Sequence, residues 1–275
     1  MLEPITPATQ LCGILLHPAG HTRSPAMHNA AFDALGIDAR YLAFDVPPEA
    51  LADAIRGARA LGIRQLAISI PHKQAVLPLL DEVEDTARAI GAVNTVTWRD
   101  GKLHGANTEW LGVVRALERE TTLADARAVV LGAGGTARAA TFGLLQRGAR
   151  VTVLNRTPAR AEELARALGA DAGGDLASLS KYEWDVLVHT TSVGLGDDAS
   201  PVPPESLRAG TVVLDAVYEP ADTRLLRDAA AKGARTVGGK WMLIEQAAVQ
   251  FEMWTGREAP REVLERAFDE AGAAS

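Results

Sequence analysis

The chain has 275 residues, with 28 Lys and Arg against 35 Asp and Glu, giving a formal net charge of −7. That length accommodates one large or two medium domains with real cores, and the acidic balance excludes nucleic acid as the main partner, because phosphate-backbone binding needs a basic face. The single cysteine, Cys12, permits no internal disulfide, and no apolar run approaches the roughly 20 residues of a membrane span.

In chain order, the pattern predicts a strand over 11–16, a helix over about 24–35, a strand over 41–44 and a helix over 48–61. A strand over 65–70 follows, then helical text through residue 90. Next comes a hairpin of 92–98 and 103–106, turned at Asp100-Gly101. Such alternation predicts an α/β domain. A helix over 107–119 leads into a second α/β region with strands over 128–131, 150–154, 186–189 and 211–216 and a helix over 136–146. After Gly238-Gly239 the chain turns helical, with Trp241, Ile244, Ala248 and Phe251 at helical spacing. A tail of this kind packs on something already built. The expected organisation is a first domain of residues 1–107 plus 240–275 and a second of residues 108–239.

The second region carries its own ligand signal. Gly132, Gly134 and Ala137 fill a G-x-G-x-x-G/A pattern between a buried strand and a helix. Gly132 allows the tight turn, Gly134 lets the backbone approach a pyrophosphate, and Ala137 lets the helix pack close to its strand. Ala133, Gly135 and Thr136 complete the expected contact set. The next strand ends without the Asp or Glu that would bind a ribose 2′-hydroxyl, and continues as Asn155-Arg156-Thr157 with Arg160 beyond. An acidic residue would repel a 2′-phosphate, whereas two guanidiniums with amide and hydroxyl donors neutralise and hold it. The cofactor expected from these residues is therefore NADP. The competing reading is a surface helix start in which Thr157 caps and both arginines are solvated.

In open α/β sheets, ligands bind outside the carboxyl ends of strands. Three segments there carry chemistry. In His21-Thr22-Arg23-Ser24-Pro25, Thr22 and Ser24 offer hydroxyls, although Ser24 can equally cap the helix that Pro25 begins. In Ser69-Ile70-Pro71-His72-Lys73 the lysine stands out, because only five lysines occur in an arginine-rich chain and a lysine can exchange a proton where an arginine cannot. The third is Gly91-Ala92-Val93-Asn94-Thr95 with Gly105-Ala106-Asn107-Thr108-Glu109. There Asn94 and Glu109 end successive hairpin strands and can converge, or serve only as turn and cap residues. The six histidines form no metal-ligand cluster.

Taken in order, these segments resemble the shikimate dehydrogenase family. HTRSP resembles its S-x-S-P segment, SIPHK its T-x-P-x-K segment, GAVNT its Asn segment and GANTE its N-T-D segment. LGAGGTARAA, NRTPAR, HTTSVG and MLIEQAA match its nucleotide, nicotinamide-side and Gln segments. The resemblance implies two domains: an N-terminal α/β substrate domain and a Rossmann-type NADP-binding domain, with a C-terminal helix returning to the first. It also implies reversible reduction of 3-dehydroshikimate by NADPH, on the way to aromatic amino acids, in the cleft between the domains. Thr22 and Ser24 would bind the substrate carboxylate, while Ser69, Asn94 and Gln246 would hold the ring. Lys73 would be the acid/base, with Glu109 as its carboxylate partner. Thr191, Ser192, Val217, Tyr218, Gly239 and Met242 would line the nicotinamide side.

Some positions depart from that family's pattern. Glu109 replaces Asp, Trp110 follows it in place of Gly, Thr22 stands for Ser, and Ala67 replaces an Asn that would donate to a ring hydroxyl. Lys240 and Trp241 stand beside Gly239, where small or apolar residues are commoner. These changes keep the reaction type and leave two alternatives open: a quinate- or aminoshikimate-type dehydrogenase, and a silent NADP-binding sensor. The remaining expectations are a small-molecule substrate, no metal, no membrane, a monomer or homodimer, and a cytoplasmic location, since the first ten residues, MLEPITPATQ, lack a signal peptide's basic start and apolar core.

Overall fold

Strands and helices alternate along the computed structural model, which describes residues 5–20 and 22–273. They fall into two units, one running to Thr108 and resuming at Gln246, the other spanning Glu109–Glu245.

The first unit holds β1 (Gln10–Leu16), α1 (Ser24–Ala34), β2 (Ala39–Asp45), α2 (Leu51–Ala60), β3 (Gln65–Ile68), β4 (Glu82–Val83), α3 (Asp85–Ile90), β5 (Thr95–Arg99) and β6 (Lys102–Ala106). Its sheet has the order β2-β1-β3-β5-β6-β4, with β1 parallel to β2 and β3, and β5 antiparallel to β3 and β6. The hairpin turns at Asp100 and Gly101, which have φ of 52° and 76° as a two-residue turn demands. Leu15, Ile55, Leu66 and Val96 are among the side chains packed in one core.

The stretch expected to be helical through residue 90 is mostly otherwise. It makes turns over 70–76, a 3₁₀ turn at Leu77–Leu79 and the short strand β4 before α3 begins. Pro71 and Pro78 break helical continuity. Pairing with β6 then takes over: Asp81 accepts the Leu103 N–H at 2.7 Å, and Glu84 N–H donates to Gly105 at 2.9 Å. The helix expected from residue 48 opens as a 3₁₀ turn, Pro48–Ala50, behind Pro47.

The second unit contains α4 (Glu109–Glu118), β7 (Arg127–Leu131), α5 (Gly135–Gln146), β8 (Arg150–Asn155), α6 (Pro158–Leu168), β9 (Ala172–Asp175), β10 (Val186–His189), β11 (Val212–Asp215), α7 (Arg224–Ala231) and β12 (Arg235–Gly238). Its six strands are all parallel in the order β12-β11-β10-β7-β8-β9, the doubly wound arrangement whose order reverses between β7 and β10. Helix α8 (Gly239–Thr255) begins in this unit, with Met242 in its core beside Val114 and Val237. The later part of α8 and α9 (Arg261–Ala273) belong to the first unit, where Phe251 packs on Phe32 of α1 with centroids 5.6 Å apart.

Cys12 is a buried core residue whose thiol donates to Gln65 Oε1 at 3.0 Å; burial pushes its pKa up to about 12, which keeps it unreactive. His28 is fully buried, stacked on Tyr41 at 4.4 Å and tilted against Trp254 at 5.2 Å, and neither ring nitrogen has a hydrogen-bond partner. Desolvation lowers its pKa from 6.5 to about 3. The unfolded chain therefore takes up a proton below about pH 6.5 that the native protein refuses, and stability falls with acidification by up to about 1.4 kcal/mol per pH unit. His28→Phe should remove one proton from this dependence. Denaturant titrations at pH 7 and pH 5 should show the acid loss reduced by about 2 kcal/mol.

Candidate active site

The carboxyl edge of the first unit's sheet gathers all three chemically loaded segments. His17 N–H donates to Ile70 at 3.0 Å and Ser69 N–H to Leu15 at 2.9 Å, tying the segment after β1 to the one after β3. Ile68 N–H donates to Asn94 at 2.8 Å, and Val93 N–H to Lys73 at 2.8 Å, which brings the lysine turn beside the start of β5. Lys73 is 8% exposed, and Ser69 is half-buried. Its neighbour His72 is a structural residue whose Nε2 meets the Val46 carbonyl at 2.7 Å.

Thr22 and Ser24 stand at the start of α1; His21 lies outside the described residues. Ser24 is the first residue of α1 and does not cap it: Arg23 occupies the cap position, without a side-chain cap bond. The Ser24 N–H instead meets Thr22 Oγ1 at 3.4 Å.

Asn94 does not end a strand, as the pattern suggested, but precedes β5, and Glu109 opens α4. The hairpin still brings Asn94 against Thr108, whose N–H donates to Asn94 Oδ1 at 2.7 Å. The Asn94 amide donates to Thr108 Oγ1 at 3.1 Å and to Gln246 Oε1 at 3.3 Å. Gln250, which the sequence reading missed, sits one turn further along α8 and donates to the Asn94 carbonyl at 3.0 Å and to Thr95 Oγ1 at 2.9 Å. The i, i+4 spacing from Gln246 was its only sequence signal.

In the second unit Gly132 has φ of 124° and donates to Leu154 at 2.8 Å, and a Cβ there would lie 2.5 Å from Thr190 Oγ1. Gly134 caps α5 with no side-chain bond, and a Cβ built on it meets nothing within 4 Å. With no side-chain cap on its first N–H groups, this twelve-residue helix offers the electropositive end that a pyrophosphate requires. Ala137 is completely buried. Ala133 packs against the core, and Thr136 donates its hydroxyl to Glu109 Oε1 at 3.1 Å. Glu109 is 3% exposed, so this bond compensates part of the cost of burying its carboxylate.

At the end of β8, Thr157 makes no side-chain cap, contrary to the capping alternative, and Asn155 Nδ2 donates to the Thr157 carbonyl at 3.0 Å. Arg156 and Arg160 are exposed, and neither forms an ion pair among the described residues.

Beyond β10 and β11, Thr191 is half-buried, Ser192 exposed, Val217 buried and Tyr218 half-buried. A Cβ on Gly239 would fall 2.6 Å from the Ala216 carbonyl oxygen and 2.8 Å from that of Val217. Backbone cannot yield there as a side-chain tip can, so Gly239→Ala should cost about 1–3 kcal/mol, read as a lowered Tm. Met242 is 6% exposed, in the core.

Sequence comparison adds a decisive observation. Three family models match: the shikimate dehydrogenase substrate binding domain over residues 14–96, the shikimate / quinate 5-dehydrogenase model over 115–194, and the shikimate 5′-dehydrogenase C-terminal domain over 239–267. Shikimate dehydrogenase (NADP(+)) of Thermococcus kodakarensis is 48% identical over 250 residues, covering 90% of this chain and 92% of that protein. The chain belongs to the shikimate dehydrogenase family. Among solved structures, shikimate 5-dehydrogenase from Thermus thermophilus in complex with NADP(H) and shikimate has a TM-score of 0.89 at 40% identity, covering 95% of this chain and 99% of that one. The ligand-free 5-ketofructose reductase of a Gluconobacter species has a TM-score of 0.85 at 37% identity, covering 96% and 99%.

The departures at Trp110, Lys240 and Trp241 acquire physical reasons. Trp110 is a packing residue, edge-on to Phe142 with centroids 5.6 Å apart and beneath the Arg147 guanidinium at 5.7 Å. Trp241 lies under the Arg119 guanidinium at 3.8 Å, with the Lys240 ammonium 4.9 Å from its ring. Ala67 is 5% exposed on β3 and brings no donor.

Proposed function

We propose that this chain is an NADP-dependent shikimate dehydrogenase, an oxidoreductase that interconverts 3-dehydroshikimate and shikimate in aromatic amino acid biosynthesis. The observation that supports this reading is the convergence of Ser69, Lys73 and Asn94 at one sheet edge through the backbone bonds Ser69–Leu15, Ile68–Asn94 and Val93–Lys73, with the segment after β1 that leads to Thr22 and Ser24 tied to the same edge by His17–Ile70. NADPH, when bound, supplies the reducing equivalent to the ketone carbon. Lys73 donates the proton to the developing alkoxide, and its ammonium charge stabilises that oxygen in a site drier than water. Glu109 supplies the carboxylate of the acid/base pair. The Thr22 and Ser24 hydroxyls take the substrate carboxylate, and Ser69, Asn94 and Gln246 hold the ring.

The cofactor-binding residues are proposed as follows. Gly132, Ala133, Gly134, Gly135, Thr136 and Ala137 cradle the pyrophosphate, while Asn155, Arg156, Thr157 and Arg160 take the 2′-phosphate. Thr191, Ser192, Val217, Tyr218, Gly239 and Met242 form the nicotinamide side. Replacing both Thr22 and Ser24 by Ala should raise KM for shikimate by about ten- to a hundredfold with a smaller change in kcat, since the carboxylate is bound alike in ground and transition states.

A quinate-type preference is the second reading, favoured by the missing donor at Ala67, because a site without that donor does not penalise a differently substituted ring. Among the described residues no helix is long and apolar enough to cross a membrane. A cytoplasmic monomer or homodimer fits the reducing-compartment reading of the lone Cys12.

A further inference from the structure

Glu109 takes the place of the family's aspartate, with a side chain one methylene longer and one more torsion to fix. Its residue is 3% exposed, so the position calls for an anchor that is also a hydrogen-bond donor. Thr136 is one: its hydroxyl stands 3.1 Å from Glu109 Oε1. An ionised carboxylate only accepts, so the single hydroxyl proton goes to Glu109 and does not serve a phosphate oxygen. What residue 136 keeps for a dinucleotide is its backbone N–H, one of the orphan donors in the first turn of α5.

The two side chains sit on helices packed in close contact. α4 begins at Glu109 and α5 at Gly135, and a Cβ on Gly143 would lie 2.9 Å from Val114 Cγ1 and 3.0 Å from the Trp110 carbonyl oxygen. Glycine at 143 therefore lets α5 approach the α4 backbone. Trp110 closes the same seam, edge-on to Phe142 with ring centroids 5.6 Å apart. The contact between Thr136 and Glu109 is thus held by a packed helix pair and not by two mobile surface chains.

We infer that Thr136 is a positioning residue whose hydroxyl holds the Glu109 carboxylate in the orientation used by the acid/base pair. The inference rests on the assignment of Glu109 to that pair. Residue 136 then has two duties, its amide toward the dinucleotide and its hydroxyl toward the carboxylate, so the first turn of α5 serves both. An aspartate at position 109 would fall one methylene short of this hydroxyl, which ties the threonine to the longer side chain.

The test measures the single-turnover rate of NADP reduction by shikimate, which product release does not limit, beside the Kd for NADPH. Thr136→Val keeps the shape of the side chain and removes the hydroxyl. It should slow the rate by about ten- to thirtyfold, near the lower end of what a hydrogen bond to a charged group is worth, and leave Kd for NADPH within about twofold. Thr136→Ser, which keeps the hydroxyl, should recover the rate to within about threefold of wild type. In a Glu109→Asp background the Thr136→Val change should cost less than about twofold, because the shorter carboxylate does not reach residue 136. A purely structural role for the threonine would cost the same in both backgrounds. Should Thr136→Val not fold, as judged by its thermal transition, Thr136→Ala takes its place. A wild-type rate in Thr136→Val with a slow Glu109→Gln would overturn the positioning role and leave Glu109 in the mechanism. A wild-type rate in Glu109→Gln would instead remove the carboxylate on which the inference rests. A faster Thr136→Val, an equal loss in the Glu109→Asp background, or weakened NADPH binding at an unchanged rate would each overturn the inference, the last by assigning the hydroxyl to the cofactor.

Discussion

Lys73→Ala should lower kcat for shikimate oxidation by about 10²–10⁴-fold while KM for shikimate changes far less, the signature of a group whose interaction strengthens in the transition state. The substitution removes the ammonium proposed to protonate and stabilise the alkoxide. It leaves intact the feature that places residue 73, because the Val93 N–H bond at 2.8 Å goes to the backbone carbonyl, which alanine keeps. Loss of activity would then not be loss of fold, and an unshifted thermal transition should confirm this. Lys73→Arg sharpens the test. Arginine keeps a positive charge but does not release a proton near neutral pH, so a variant that binds shikimate yet turns over slowly separates proton transfer from charge. Wild-type turnover in Lys73→Ala would remove the residue from the mechanism.

Replacing Arg156 and Arg160 together by Gln should weaken NADPH binding by about thirty- to a hundredfold and leave NADH binding within about twofold. In the proposed site each guanidinium would give a charge-assisted bond to the 2′-phosphate, discounted because both side chains are exposed and screened by solvent. Neither has a carboxylate partner among the described residues, so the substitution breaks no ion pair and should leave stability nearly unchanged. The wild-type preference for NADPH should shrink as salt rises, because the interaction is between exposed charges. Fluorescence titration with both reduced cofactors measures the ratio, and equal losses for NADPH and NADH would exclude 2′-phosphate recognition by these residues.

What could be read from the sequence was local. The nucleotide turn is written in consecutive residues from Gly132 to Ala137, and strands such as β10 are uninterrupted apolar runs, so period and spacing place them. The segment from Pro71 to Glu84, which precedes the part of the expected helix that does form as α3, failed for the opposite reason. Pro71 and Pro78 interrupt it, and residues 81–84 are set by pairing with β6, which lies later in the chain and contributes nothing to local propensity. Strands β9 and β12 were missed because AGGD and RTVG have neither length nor alternation, and only their place at the sheet edges makes them strands. In the site, side-chain types pointed to Lys73, Asn94 and Glu109, but not to what holds them. Gln250 behind Asn94 and Thr136 on Glu109 are tertiary contacts across 156 and 27 residues of chain, respectively.

The most direct measurement is the initial rate of nicotinamide reduction, followed by absorbance, with shikimate and quinate in parallel and with NADP and NAD as alternative acceptors. The account predicts turnover with shikimate and NADP, a much lower rate when NAD replaces NADP, and at most weak turnover of quinate. Binding of NADPH without turnover of shikimate, or turnover of quinate alone, would contradict it and would assign the changes at Ala67 and Glu109 to a different substrate.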